Sequence, residues 1–267
     1  MAMPPNAITV RPPAVAGMFY PAGADVLRRS VERLLAQTSP AGNPPKALIV
    51  PHAGYVYSGP VAASGYARLR TIVDRVERVV AFGPAHRVPF HGIAAPVSAC
   101  WRTPLGDIPI DQPAIEGLLD LSAVRRHEGA FRDEHSLEVQ LPFLQVVLER
   151  FRLVPLLVGD ARPEDVASAL ERLWGGPETL IVISSDLSHY HSYETASRID
   201  AETSRAIVEN RPEAIGFDQA CGRIPVLGLM EAVARHGLHG EIVDQRNSGD
   251  TAGPRDRVVG YGSYAFS

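Results

Sequence analysis

Short aliphatic runs alternate with helix-like stretches along most of the chain, and this alternation constrains the fold more than any other feature. The runs have the length and the continuous apolar character of strands that are covered on both faces. They lie at 47–50, 78–82, 92–97, 153–158 and 179–184. The stretches between them have the length and the apolar spacing of helices, and they lie at 24–36, 60–69, 113–119, 136–150, 163–174 and 193–209.

Helix signals refine this pattern. Pro60, Pro113 and Pro163 stand where the first turn of a helix accepts proline, and Ser136 is a predicted helix cap. A last long helix is predicted from near Cys221 to position 235, ending at a glycine. The tail is predicted to form two strands, 240–245 and 257–266, joined by the polar loop 246–256. The order of elements predicts one α/β domain over 1–267, with a mixed, largely parallel sheet flanked by helices.

Composition excludes several functional classes. The 267 residues carry 26 Lys and Arg against 30 Asp and Glu, a formal net charge of −4, so the chain lacks the basic excess typical of nucleic-acid binding. Its apolar runs are far shorter than the ~20 residues of a membrane span. The first 20 residues contain four prolines and no continuous apolar stretch, which argues against a cleaved signal. With two cysteines, a cytoplasmic protein is expected.

Familiar catalytic signatures are absent from the sequence. It contains neither GxGxxG nor GxxxxGK[ST], which disfavours nucleotide-dependent chemistry. It also contains no GxSxG, HExxH or CxxC, which disfavours serine hydrolysis and the usual zinc protease and thiol redox sites.

Histidines follow three of the predicted strands. His52 comes just after 47–50, His86 after 78–82 and His189 after 179–184. Ligands of open α/β sheets bind at the carboxyl ends of the strands, and neutral imidazole is a common metal ligand. A single histidine after a strand is as often a solvated loop residue. Three together favour a metal site at this edge, built from at least two of them.

Other polar residues are candidates for the same site. Cys221, near a helix start, is either a nucleophile or soft metal ligand favoured as thiolate, or a small packing residue. Asp186 lies three positions before His189 and either orients that imidazole or caps a helix. His135 and Glu138 are also three apart and are candidates to support the site or its substrate, although helix capping explains the acid equally well.

Short blocks spread over nearly the whole chain have the residues and the order of a known family. They occur at 16–21 (AGMFYP), 51–59 (PHAGYVYSG), 83–86 (GPAH), 102–106 (RTPLG), 134–138 (EHSLE), 184–189 (SSDLSH), 221–223 (CGR) and 258–261 (VVGY). On these blocks the chain resembles the MEMO family, known in bacteria and archaea as AmmeMemoRadiSam system protein B.

The resemblance implies a fold like that of the LigB-type class III extradiol dioxygenases. It implies a metal on His52, His86 and Cys221, with Asp186 and His189 lining the same pocket. Extradiol dioxygenases hold Fe(II) with two histidines and a carboxylate, whereas the third ligand here is a thiolate. The resemblance to these enzymes makes Fe(II) the expected ion, and the softer thiolate ligand makes Cu or Zn the alternatives.

Three functions are consistent with this resemblance. The first is a dioxygenase-like redox enzyme with an unknown substrate, in which His189 is the acid–base, Asp186 orients it, and Tyr55 and Arg223 lie around the ligands or the substrate. The second is a non-catalytic protein that binds a metal and a small-molecule or peptide ligand. The third, from the family name, is a component of a modification system with radical SAM and AMMECR-type partners.

Overall fold

A computed structural model of the chain describes residues 9–39 and 41–267. The beginning of the segment 1–20, interpreted above as lacking a signal, therefore lies outside the described residues. The strands are β1 Val10–Arg11, β2 Ala47–Val50, β3 Arg78–Pro84, β4 Ile93–Ala95, β5 Cys100–Thr103, β6 Gly106–Pro109, β7 Val124–Arg126, β8 Arg152–Val158, β9 Thr179–Ser184, β10 His189–His191, β11 Gly240–Asn247 and β12 Val258–Phe266. The α-helices are α1 Ala24–Ala36, α2 Tyr55–Ala67, α3 Gln112–Glu116, α4 Leu141–Leu148, α5 Pro163–Leu173, α6 Tyr193–Val208, α7 Arg223–His236 and α8 Ser248–Thr251. Short 3₁₀ turns lie at Arg68–Thr71, Glu128–Phe131, Glu138–Gln140 and Pro212–Ala214.

The central sheet has the strand order β10-β12-β2-β9-β3-β8-β4-β7, with β11 paired to β12. Its middle strands β2, β9, β3 and β8 are parallel, whereas β12 joins β2 and β4 joins β8 in the antiparallel sense. A small second sheet has the order β1-β5-β6. The mixed α/β architecture expected from the alternation of elements is confirmed.

The sequences of the central parallel strands are continuously apolar because both faces of the sheet are buried. All residues of β2 and β9 are buried, because helices cover the sheet and leave neither face to solvent. On one part of the molecule α1, α2 and α4 pack together, and on another α5 packs on α7. Within the described ranges, no helix is both long enough and apolar enough to cross a bilayer.

Two details of the predicted helices are wrong. Pro60 lies inside α2 rather than in its first turn, because the helix already begins at Tyr55, whose backbone N–H donates to the Phe19 carbonyl (2.8 Å). Ser136 does not cap a helix. It is buried, and its hydroxyl donates to the Pro84 carbonyl (2.9 Å), so that α4 begins only at Leu141. In both cases contacts with distant parts of the chain override the local signal.

Candidate metal centre

The predicted site lies at the carboxyl edge of the parallel strands. His52 follows the end of β2 by two residues, His86 follows β3 by two, and Asp186 follows β9 by two. These three strands are neighbours in the order β2-β9-β3, so their ends meet at one place. This is the edge at which ligands bind in open α/β sheets.

Three imidazoles converge there, and one of them is His135. The ring nitrogens that His52, His86 and His135 offer all lie within 4.8 Å of one another. Their ring centroids are 5.2 Å (His52–His86), 5.5 Å (His52–His135) and 4.7 Å (His86–His135) apart. His52 is buried, whereas the His86 side chain is 29% exposed, so the three-histidine cluster is open to solvent on the His86 side.

Cys221 adjoins the three-histidine cluster through His52. Its Sγ lies 3.3 Å from Nε2 of His52 and accepts the backbone N–H of Asp186 (3.3 Å). A tetrahedral ion with one thiolate and one imidazole ligand would hold these two atoms about 3.5 Å apart, from bond lengths of about 2.3 and 2.0 Å. The spacing fits a shared ion. Cys221 as a ligand stays a prediction, since the mutually close donors among the described residues are the three histidines.

The thiol of Cys221 is not activated in the way that its position in the sequence suggested. Helix α7 begins at Arg223, after the thiol and not around it. Burial, and then the neighbouring carboxyl of Asp186, raise the pKa of Cys221 to about 12. A bound cation would be needed to hold this sulfur as thiolate, as metals do for coordinating thiols.

The imidazole of His52 is fixed from two directions. Its backbone N–H donates to Oδ1 of Asp186 (2.7 Å), and its ring Nδ1 lies 2.8 Å from the Ser184 hydroxyl. Burial, followed by the proximity of the other two histidines, lowers the pKa of His52 well below its usual value. The ring is therefore neutral at pH 7, which is the protonation state that binds metals.

Glu134 orients the other two histidines. Its carboxylate accepts the backbone N–H (2.5 Å) and Nδ1 (3.0 Å) of His86, and the backbone N–H groups of His135 (2.9 Å) and Ser136 (3.0 Å). Burial raises the pKa of Glu134, but its hydrogen bonds with His86 and Ser136 outweigh burial and hold this pKa at about 2. Burial lowers the pKa of His135 to about 4. A carboxylate behind a metal-binding imidazole is a recurrent feature of metal sites.

Sequence reasoning missed this role of Glu134. The available signal is the dipeptide Glu134-His135, a carboxylate directly beside an imidazole, in a block whose pattern predicts a helix start. The block forms a loop that reaches the sheet edge instead.

Asp186 and His189 lie at the site but are not paired as predicted. No hydrogen bond joins them among the described contacts, because the carboxylate of Asp186 receives the backbone of His52. Nδ1 of His189 donates to the Leu187 carbonyl (2.8 Å), at the start of β10, not in a helical turn. Burial raises the pKa of Asp186 to about 7 and lowers the pKa of His189 below its usual value.

Glu138 and Tyr55 turn away from the three-histidine cluster. Glu138 is fully buried in an ion pair with Arg11 (2.7 Å) and also accepts two backbone N–H groups and the Tyr20 hydroxyl (2.6 Å), which ties the first described residues to the domain. The hydroxyl of Tyr55 donates to the Val139 carbonyl (2.7 Å). Both residues support the fold around the site and offer no donor to it in this structure.

Two cavities flank Cys221. One of about 790 Å³ is mostly apolar, and its lining includes Pro84, Phe90, Val158, Phe217, Ile224 and Pro225. Arg223 also lines it, with its Nε on the Ile215 carbonyl (2.8 Å) and its guanidinium over the Phe217 ring (4.5 Å). A smaller cavity of about 410 Å³ reaches both Cys221 and His189. Both cavities have the volume of a metabolite-sized molecule, and both have Cys221 in their lining.

Comparisons with known proteins give a consistent result. A family profile described as "Memo-like protein" matches residues 11–265. The chain is similar to a "MEMO1 family protein" of Aquifex aeolicus, at 37% identity over 94% of this chain and 97% of that protein. It is similar to another of Ignicoccus hospitalis, at 36% identity over 96% and 98%. Among solved structures, an uncharacterized Escherichia coli K12 protein, JW3007, superposes with a TM-score of 0.55 at 14% identity, over 82% of this chain and 98% of that one, which is a likeness of fold alone.

Proposed function

Because the chain belongs to the Memo-like protein family, we propose that it is a metal-binding protein whose ion is held by His52, His86 and His135, with Cys221 as a further ligand. The observation that supports this proposal most strongly is the convergence of three imidazole donors within 4.8 Å at the carboxyl edge of the sheet. The depressed pKa values of His52 and His135 add to it, since both rings are neutral at pH 7 without a metal.

We propose Fe(II) as the ion, with Cu and Zn as the competing outcomes of a metal analysis. Three imidazoles suit all three metals, and a thiolate neighbour shifts the preference toward the softer ones. Among the described residues no carboxylate oxygen belongs to the group of mutually close donor atoms, because Glu134 lies behind His86 as a hydrogen-bond acceptor. This distinguishes the cluster from the two-histidine, one-carboxylate iron sites.

We further propose that the protein is a dioxygenase-like redox enzyme. When bound, Fe(II) would supply the exchange of electrons with O₂ at open coordination positions. The protein side chains would then bind and orient the substrate. The apolar cavity beside Cys221 would bind the substrate and exclude water, and Arg223 on its wall suits an anionic substituent.

His189 is the proposed acid–base. Since the Leu187 carbonyl can only accept, Nδ1 of His189 carries the proton and Nε2 keeps a lone pair. Because burial lowers its pKa, the ring is neutral at pH 7. It can take a proton from the end of a substrate that extends past Cys221 from the larger cavity into the smaller one, since Cys221 lines both. Such assistance contributes roughly 10²- to 10⁴-fold to a rate.

Oxygen uptake tests the redox proposal. The protein is loaded with Fe²⁺ without oxygen, then mixed with oxygenated buffer and a series of catechols. Wild type and the exposed-histidine control His239→Ala should consume oxygen at equal rates, and His189→Ala should lose most of the rate. Uptake by His189→Ala equal to that of wild type would exclude the acid–base role.

The missing carboxylate favours a second candidate, a non-catalytic metal- or ligand-binding protein. Bound metal without oxygen uptake on any catechol would support it over the enzyme.

As an extension of either function, we propose that the chain works with radical SAM and AMMECR-type partners, on the strength of the family resemblance alone. Copurification of such partners from cells would support that extension.

A further inference from the structure

A buried hydroxyl joins His52 to the protein interior. Oγ of Ser184 lies 2.6 Å from the Ser136 carbonyl, 2.8 Å from Nε2 of Gln140 and 2.8 Å from Nδ1 of His52. All four residues are buried, so water does not compete for these contacts. A serine hydroxyl has one proton to donate and two lone pairs to accept with, so these three contacts use its full capacity.

The direction of each hydrogen bond follows from the backbone carbonyl groups, which can accept a hydrogen bond but cannot donate one. The Ser136 carbonyl only accepts, so it takes the one proton of Ser184. The Pro51 carbonyl also only accepts, and it lies 3.0 Å from Gln140 Nε2, which fixes the amide group with its nitrogen toward Pro51 and Ser184. The Tyr66 hydroxyl donates to the opposite atom, Oε1 of Gln140 (2.9 Å), in agreement with that orientation.

Ser184 therefore has only a lone pair left for His52, and the ring nitrogen that faces it has to donate. We propose that Ser184 is a positioning residue that fixes His52 as the Nδ1–H tautomer, with the Nε2 lone pair directed at Cys221 and the metal site. The expected effect of Ser184 on metal affinity rests on the proposed metal-binding function. The tautomer of His52 does not, because it is a property of the metal-free chain.

The tautomer is measured directly by two-bond ¹H–¹⁵N correlation on metal-free protein labelled with ¹⁵N-histidine at pH 7.5. In wild type, Nδ1 of His52 should have the shift of a protonated ring nitrogen and Nε2 that of an unprotonated one. Ser184→Ala removes the acceptor, so the Nε2–H form that can donate to Cys221 Sγ should become populated. Ser204→Ala, another buried serine with one side-chain partner (Tyr264), should leave the wild-type pattern unchanged.

Metal titration provides the second arm. With Fe²⁺ under anaerobic conditions, Ser184→Ala should bind roughly 10- to 100-fold more weakly than wild type, the usual effect of removing a group that orients a metal-binding histidine. Ser184→Thr, which keeps the hydroxyl, should restore most of the affinity, and Ser204→Ala should bind like wild type.

The two arms separate this inference from the proposed function. An Nδ1–H tautomer in a wild-type chain that binds no Fe²⁺ would support the role of Ser184 and overturn the Fe(II) proposal. An Nε2–H tautomer in wild-type protein would overturn the role of Ser184, whatever the metal affinity, and this result does not depend on whether Ser184→Ala folds.

Discussion

Glu138→Gln tests whether this carboxylate supports the fold or the metal site. Glu138 is fully buried, and its Oε2 pairs with Arg11 Nη1 (2.7 Å) and accepts the Ala14 N–H (2.8 Å). The amide of glutamine has the same shape but can accept at only one of the two positions, so one side of the carboxylate loses its hydrogen bonds. The Arg11 guanidinium would then be buried without a counter-charge.

The expected cost follows from these contacts. Breaking a buried ion pair by removing one partner costs about 3–5 kcal/mol. Arg11 keeps its bonds to the carbonyls of Phe131 (2.8 Å) and Glu134 (2.7 Å), which places the expected loss at the lower end, about 3 kcal/mol. For a domain of this size that corresponds to a fall in Tm of roughly 6–12 °C.

Urea denaturation and metal titration together measure the effect. Glu138→Gln should lose about 3 kcal/mol of unfolding free energy, while its folded form binds Fe²⁺ as wild type does, because Glu138 faces Arg11 and not the three-histidine cluster. The exposed control Glu32→Gln should change stability by less than about 0.5 kcal/mol. A loss under about 1 kcal/mol combined with a fall in metal affinity of about tenfold or more would refute this reasoning and return Glu138 to the site.

Three further perturbations have defined outcomes. Burial raises the pKa of Asp200 from 3.8 to about 6. Between these pH values the unfolded chain releases a proton that the folded chain keeps. The free energy of unfolding therefore falls by about 3 kcal/mol as pH rises through this range. Asp200→Asn keeps an acceptor for the Ser188 N–H (3.0 Å) and should make this slope shallower in urea melts from pH 4 to 6.5, with the remaining slope coming from Asp186, whose pKa burial raises to about 7; an unchanged slope would contradict the assignment. Gly222→Ala would place a Cβ 2.7 Å from the Ser184 carbonyl oxygen, so it should displace the neighbouring Cys221 and weaken Zn²⁺ binding, and unaltered binding would show that the loop position is unimportant. Cys221→Ser should remain folded by circular dichroism yet lose most of its metal, because a hydroxyl is a far poorer ligand than a thiolate, and full metal retention would remove Cys221 from the ligand set.

Much of the fold could be predicted from the sequence because its central strands are buried on both faces. The predicted strands 47–50 and 179–184 coincide with β2 and β9, and helix 24–36 coincides with α1. The errors at Pro60 and Ser136 have a different origin. Their conformations depend on the Phe19 and Pro84 carbonyls, which lie tens of residues away and leave no local signal.

Only those residues of the site that directly follow the ends of strands could be predicted from the sequence. His52 and His86 lie where the parallel strands β2 and β3 finish, so the sheet topology alone brings them together. His135 reaches the same edge on a loop, where its backbone N–H donates to the Glu134 carboxylate, a contact that no periodicity reveals. The tertiary hydrogen bond from the His52 backbone that sets the orientation of Asp186 was equally beyond sequence reasoning, whereas His189 is oriented locally by the carbonyl of Leu187.

Metal content tests the central claim most directly. Wild type, His52→Ala and the exposed-histidine control His239→Ala are loaded with Fe²⁺ under anaerobic conditions, passed through a desalting column and analysed for bound metals. We expect about one ion per chain in wild type and in the control, and a small fraction of that in His52→Ala. Wild-type protein that emerges without metal, or a His52→Ala variant that keeps its full complement, would contradict the account.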